Sequence, residues 1–376
     1  MPLLADLIRT LDELAPASLA ESWDNTGLLL GDAARGVKKI LTCLTLTEDV
    51  AQEAISEGAD LIVTHHPVMF RPIQKLTTGD AQGRILLGLA REGIAVFSPH
   101  TRYDNAPRGI NQQLAEACGL EGIRPLRTAA AATHYQLVTF VPPENLSAVR
   151  QALWSAGAGQ IGEYACCSYS VQGVGTFLGS ENSQPQVGTK GHLEEVGESR
   201  LEVLVSAGTL GPVIEALRKT HPYEEPAYFV YPLHEAAGTG GVMGAGRVGD
   251  FAQPRTVGEV ADKLCAALKI QAVQIVGDAG RLVSRVGIAC GAAAEFLKEA
   301  HAAGCRLFIT GEARFHDALL ARDLGVAVIL LGHYGSERTG MERMVGLLQE
   351  KHPDISIWAS RAEHDPIQWY VPPSVE

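Results

Sequence analysis

The sequence predicts an α/β protein in which one α/β unit occurs twice, with an α+β segment of ferredoxin-like order set between the copies. Three observations lead there. Residues 40–67 read as an apolar strand, a helix over Glu48–Glu57, Gly58 and a second apolar strand, Leu61–Thr64, that ends in His65-His66-Pro67. Residues 286–315 repeat this order, with a strand, a helix over 292–303, Gly304 and the strand Leu307–Thr310 that ends in Gly311-Glu312. The copies then continue alike, since residues 94–99 form a strand before His100 and Asp104, and residues 326–332 form one before His333 and Glu337.

Each element follows from local chemistry. The first fourteen residues carry apolar positions at helical spacing with acids throughout, which makes an amphipathic helix and not a leader peptide. Leu61-Ile62-Val63 has strand composition, and Pro67 cannot donate to a ladder, so the strand stops at the histidines. Ile110–Cys118 and residues 341–349 are amphipathic helices that follow the two His/acid pairs. Between the copies come a strand over 135–141, a Pro142-Pro143-Glu144 turn and a helix over 146–156 that glycines end at 157–162. Strands over 165–171 and 173–178, a polar stretch 179–188, a strand over 200–205, a helix Leu210–Thr220 and a strand over 227–232 complete the β-α-β-β-α-β order. Gly244, Gly246 and Gly249 satisfy a dinucleotide-loop pattern, but they run into Asp250 and Pro254 instead of opening a helix, so they mark re-entry into the core.

Open α/β sheets bind ligands beyond the carboxyl ends of their strands, which is where both copies place their chemistry. Two copies facing each other bring His65, His66, Asp104, His333 and Glu337 into one cleft. Imidazole nitrogens and carboxylate oxygens suit Zn, Fe, Mn or Co, and a carboxylate can bridge two ions. Other readings stand beside this one. Vicinal histidines also occur as hydrogen-bonded core residues, and acids near helix starts act as caps or offset the dipole without any metal. No thiol is expected in the set. His221-Pro222-Tyr223-Glu224-Glu225-Pro226 reads as a rigid loop entering a strand, with ligand recognition as the alternative, and Asp24 and Asn25 either line the cleft or form a turn.

The strings Ser22-Trp23-Asp24-Asn25-Thr26-Gly27-Leu28, Val63-Thr64-His65-His66-Pro67, His100-Thr101 with Asp104, Ile309-Thr310-Gly311-Glu312 with His316-Asp317-Ala318, and Gly332-His333-Tyr334 with Glu337 resemble the NIF-three-like family. Its members are dinuclear-metal-centre proteins, known also as GTP cyclohydrolase 1 type 2 homologues. The resemblance implies metal ligands at His65, His66, Asp104, His333 and Glu337, with Glu337 bridging. It implies two divalent cations per subunit, Zn, Fe or Mn, with Glu337 at the centre of the chemistry and His316 beside it in proton transfer. The middle segment is similar to the P-II/CutA-like insert of longer members, so core halves 1–129 and 234–376 would flank an insert at 130–233. A homohexameric ring is implied as well. Arg102-Tyr103 and Glu312 depart from the usual Asn-Leu and Asp, and Arg102 is expected to influence which anion enters.

The expected chemistry is metal-assisted hydrolysis, either ring opening of a purine nucleotide or phosphoester cleavage. A metal-storage, metal-delivery or regulatory protein without turnover is the alternative, and it needs the same ligands. A net charge of −12 argues against general nucleic-acid binding, though not against a small-molecule or nucleotide ligand. Seven cysteines with no C-x-x-C pair point to reduced thiols in the cytoplasm. No apolar run approaches the roughly 18 residues that span a bilayer, so no membrane association is expected.

Overall fold

The computed structural model describes residues 1–128, 134–162, 164–180, 188–233 and 243–370. In the first segment the elements are α1 (Leu4–Leu14), β1 (Gly27–Leu30), β2 (Lys39–Cys43), α2 (Glu48–Glu57), β3 (Leu61–Thr64) and α3 (Ala81–Glu92). They continue with β4 (Ala95–Ser98), α4 (His100–Asn105), α5 (Ile110–Cys118), β5 (Glu121–Arg124) and β6 (Arg127–Thr128). The middle holds β7 (His134–Val141), α6 (Leu146–Ser155), β8 (Tyr169–Leu178), β9 (Leu193–Ser206), α7 (Leu210–Thr220) and β10 (Tyr228–Pro232). After it come β11 (Gly244–Ala245), β12 (Arg247–Thr256), α8 (Val257–Leu268), β13 (Gln274–Val276), β14 (Leu282–Ala289) and α9 (Leu297–Ala302). The last are β15 (Leu307–Thr310), α10 (Phe315–Asp323), β16 (Ala327–Leu330), α11 (His333–Lys351) and β17 (Ser356–Ala359). Two units result: Met1–Ala129 with Gly240–Glu376, and Ala130–Thr239.

The first unit contains the repeat as two sheets. One has the order β1-β4-β3-β2-β17 and the other β13-β16-β15-β14-β12-β5. In the first, β4, β3, β2 and β17 run parallel, in the second β16, β15 and β14 do, and in each one short strand, β1 or β13, closes the edge antiparallel to its neighbour. These edge strands, four and three residues long, escape periodicity analysis because they are too short to show a period. The halves also exchange strands. β17, at the end of the second half, lies beside β2, and β5, from the first half, lies beside β12.

Alternation along the buried strands explains the layering. Ile62 and Val96 face one way and pack with α2 and α3, through Val50, Ala54, Ile85 and Leu89. Phe308 and Val328 pack likewise under α9 and α10. The opposite faces, with Leu61, Val63, Phe97, Leu307, Ile309 and Ile329, share one core with α1, α5, α8 and α11. Two expected helices differ. The helix expected over 292–303 is a 3-10 turn, Ala294–Phe296, followed by α9. The one expected over 341–349 begins earlier, at His333, so α11 contains Glu337. Gly335 and Gly340 lower the local helix propensity, and packing explains them: a Cβ on Gly340 would lie 2.5 Å from Ile110 Cγ1.

In the second unit the sheet order is β10-β7-β9-β8, antiparallel throughout, with α6 and α7 over a core of Leu137, Val149, Leu201, Val203 and Leu217. The strands expected over 165–171 and 173–178 are one strand, β8, and β9 begins earlier than expected, at Leu193. Residues 181–187 of the expected polar stretch lie outside the described residues. His221 is buried and structural, with Nε2 2.9 Å from Phe140 O and Nδ1 accepting from Tyr223 N at 3.1 Å.

Where the chain leaves and re-enters the first unit, β6 and β11 pair antiparallel, Thr128 opposite Gly244. Beside them Arg247, fully buried, donates to the carbonyls of Gly244, Gly246 and Ala106 at 2.7 Å each and to Gln112 Oε1 at 3.0 Å. Burial pulls its pKa down to about 10, so the guanidinium remains charged at neutral pH while it ties the two halves together. Arg247→Ala strands these acceptors and is expected to cost about 3 kcal/mol or more, read from urea unfolding midpoints. Because the exit and re-entry strands are neighbours, replacing residues 130–239 by a short Gly/Ser linker is expected to leave a soluble unit with a single cooperative thermal transition. An insoluble or non-cooperative product would show that the first unit cannot fold without the second.

Candidate metal centre

Backbone pairing sets the first two donors. Beyond β3 the parallel register continues, with His65 N and His66 N donating to Cys43 O and Leu44 O at 3.0 and 2.9 Å, so both histidines stand at the strand's carboxyl end. The other donors stand on helices. His100 opens α4 and His333 opens α11, and the four-residue step to Asp104 and Glu337 is one helical turn, which puts each acid on its histidine's face. Both acids lie inside their helices, whose caps are Pro99 and Gly332, so capping does not explain them.

Glu337 is the centre. Its side chain is 4% exposed, and Oε2 lies 3.0 Å from His66 Nε2, 3.2 Å from His333 Nε2 and 3.9 Å from His65 Nε2. His65 Nε2 is 3.5 Å from Asp104 Oδ1. Among the described residues, three groups could each hold a metal ion: His66, His333 and Glu337; His65, Asp104 and Glu337; and His65, His66 and His100. All five residues expected from the sequence are thus together. His100 was missed as a donor, although the repeat signals it as the counterpart of His333. Its Nδ1 lies 2.7 Å from Asp24 Oδ1, and Thr101 Oγ1 donates to Asp24 Oδ2 at 2.5 Å.

His65 tests whether a cation fits. Its side chain is 0% exposed, and neither ring nitrogen has a hydrogen-bond partner. An unpaired buried polar atom costs about 1–3 kcal/mol, and a cation at the ring nitrogen removes that cost. Burial also pushes the His65 pKa well down, which favours the neutral form that ligates. For His66, Thr45 Oγ1 lies 2.8 Å from Nδ1 and leaves Nε2 facing the cluster.

The carboxylates are held unequally. Burial, reinforced by Glu337, pushes Asp104 up. Burial would push Glu337 up too, but hydrogen bonds from His333 and His66 outweigh it and hold the acid well down. The bond to Glu337 lifts His333 to about 9. A thiol touches one of the acids without being among the candidate donors: Cys290 Sγ donates to Asp104 Oδ1 at 3.1 Å, and burial pushes its pKa well up, so it stays protonated. Two glycines make the room. A Cβ on Gly291, at φ +66°, would lie 2.4 Å from Glu337 Oε1, and one on Gly311 would lie 2.6 Å from Ser336 Oγ.

Arg102 is not at the opening. It is buried, donates to Ala15 O at 2.8 Å and pairs with Asp12, which ties α4 to α1. Glu312 Oε1 reaches His333 Nδ1 at 3.4 Å. His316 is exposed on α10 with its ring against Phe315.

Two three-layered α/β halves converging on an imidazole–carboxylate cluster define a duplicated α/β protein with side chains that could hold a metal ion. The model of the Duf34/NIF3 (NGG1p interacting factor 3) family matches residues 2–366, and the chain belongs to that family. It is 34% identical over 366 residues to a GTP cyclohydrolase 1 type 2 homolog of Halalkalibacterium halodurans, covering 96% of this chain and 97% of that one. A Bacillus subtilis protein of the same name is 34% identical over 363 residues, covering 96% of each. Among solved structures, a Bacillus cereus protein related to NIF3 superposes with a TM-score of 0.78 at 33% identity, over 98% of this chain and 99% of that one. Among the described residues no helix is long and apolar enough to cross a membrane.

The raised His333 pKa fixes a sign. In the metal-free chain its pairing with Glu337 stabilises the fold fully below pH 6.5, and that contribution is lost as pH rises through about 9. A metal must displace this proton, so divalent-ion affinity is expected to strengthen between pH 6 and 9, with protons released on binding at pH 7. Chelator competition across that range, with calorimetry in buffers of different ionisation enthalpy, measures both.

Proposed function

We propose that the chain is a metal-dependent hydrolase that holds two divalent cations, Zn, Fe or Mn, bridged by Glu337. His66 and His333 would complete one position and His65 and Asp104 the other. One observation carries the reading: His65 and Glu337 are buried, while the side chains of His66 and His333 are 27% and 34% exposed, so the cluster opens to solvent on one side. Structural metal sites are closed, and catalytic ones keep an open position. When bound, the cations supply Lewis acidity that lowers the pKa of water and stabilises developing negative charge.

The chain's own residues manage protons and orientation. Thr45 and Asp24 hold the rings of His66 and His100 by their outer nitrogens. Glu312, half-exposed and 3.4 Å from His333 Nδ1, is the group through which a proton would pass between site and solvent, and His316 on the following helix is assigned to the same transfer. The relatives' name directs the substrate search to a purine nucleotide such as GTP. The second unit's β10-β7-β9-β8 order supports reading it as the ferredoxin-like, P-II/CutA-like insert of longer family members. A homohexameric ring in the cytoplasm belongs to the same proposal, and light scattering tests the assembly.

Reconstituted protein is expected to carry close to two divalent ions per chain and to turn over a member of a GTP and phosphodiester panel, while Glu337→Gln loses metal and turnover together. Elemental analysis giving one ion or none would defeat the dinuclear reading. Two ions without turnover would transfer the site to metal storage or delivery.

A further inference from the structure

Two aromatic side chains stand half in water at the edge of the imidazole cluster. Trp23 is 58% exposed and Phe70 is 47% exposed, with ring centroids 5.9 Å apart at 59°. Both meet His100 steeply, Trp23 at 6.1 Å and 77°, Phe70 at 6.3 Å and 90°. His100 stands 5.8 Å from His66, which is 5.1 Å from His333, so aromatic wall and donors form one continuous row. None of these contacts is face to face, so neither Trp23 nor Phe70 is stacked on the other or on His100.

The wall is also held in place. Asn25 Nδ2 donates to Met69 O, which joins the loop bearing Trp23 to the loop bearing Phe70. Asp24, beside Trp23, is fixed by His100 and by Thr101. Packing of the core does not account for two large rings kept rigid and wet, whereas a ready-made stacking surface does.

We propose that Trp23 and Phe70 are the stacking wall of a subsite for a flat nitrogen heterocycle of nucleobase size. The position selects this occupant. A ring lying on the wall is about one ring-width from His100, so its polar edge meets the open side of the cluster while its apolar face leaves water, a division of labour that base-stacking proteins use. The assignment rests on the hydrolase reading for the purpose of the site and names the class of substrate it accepts.

The test is calorimetric titration of metal-loaded protein with guanosine, adenosine and ribose 5-phosphate, with metal content and light-scattering mass recorded on the same samples. Trp23→Ala and Phe70→Ala are each expected to weaken binding of at least one nucleoside about tenfold, the loss of one base stack, with metal content and ribose 5-phosphate binding unchanged. Trp23→Phe, which preserves a ring, is expected to retain most of the affinity and serves if an alanine variant does not fold. Unchanged nucleoside affinity in the alanine variants overturns the proposal, as does an absence of saturable nucleoside binding to the wild type. A changed mass with unchanged metal content also overturns it, by making the pair a contact between copies. Wild type that never loads metal yet binds guanosine through Trp23 would sink the hydrolase reading and leave the stacking wall standing.

Discussion

A carboxylate buried among imidazoles is the constraint on which the first unit is organised. Glu337 has almost no access to water, and ionised burial is tolerable only with partners at hydrogen-bonding range. Its partners come from both halves of the chain: His66 from the end of β3, His333 one helical turn back on α11, and His65 close by. Gly291 and Gly311 are glycines because a Cβ would strike Glu337 itself or Ser336 one residue before it. The strand ends, the start of α11 and the tight turns after β14 and β15 therefore answer to the position of one acid.

Duplication provides the geometry, and asymmetry between the copies provides the site. Each half ends a strand at a His-x-x-x-acid helix, but the first places His65-His66 where the second places Gly311-Glu312. Two imidazoles therefore enter from one side, and the glycine opposite leaves space for α11 to approach. The halves cannot drift apart, because β17 and β5 each extend the other half's sheet and Arg247 draws carbonyls of both onto one guanidinium. A site whose donors come from residues 65 to 337 gains its rigidity from those exchanges.

Much of this was readable in the residues. The strand-helix-strand opening of both copies, the third strand of each and the five central donors followed from apolar periodicity and from the repeat, whereas the helices α3 and α10 before those third strands were not read. Where reading failed, the cause was local. Edge strands β1 and β13 are too short to show a period, and glycines disguised the first turns of α11. His100 was passed over although its repeat partner was chosen. Arg102 was placed by sequence adjacency, yet a helical step turns it away from Asp104 toward Asp12 on α1 and the carbonyl of Ala15 just beyond it.

By itself the sequence determined which residues are able to ligate and that they recur with the same spacing, because periodicity and side-chain chemistry are local properties. For the same reason it determined the central strand-helix-strand order of each copy and the β-α-β-β-α-β order between them. Tertiary structure alone decided that Cys290 donates to Asp104, that Thr45 and Asp24 orient two of the histidines, and that Trp23 and Phe70 border the cluster. Those partners are separated by up to 186 positions along the chain, and only the packing of the two sheets brings them within a hydrogen bond or a ring contact of each other.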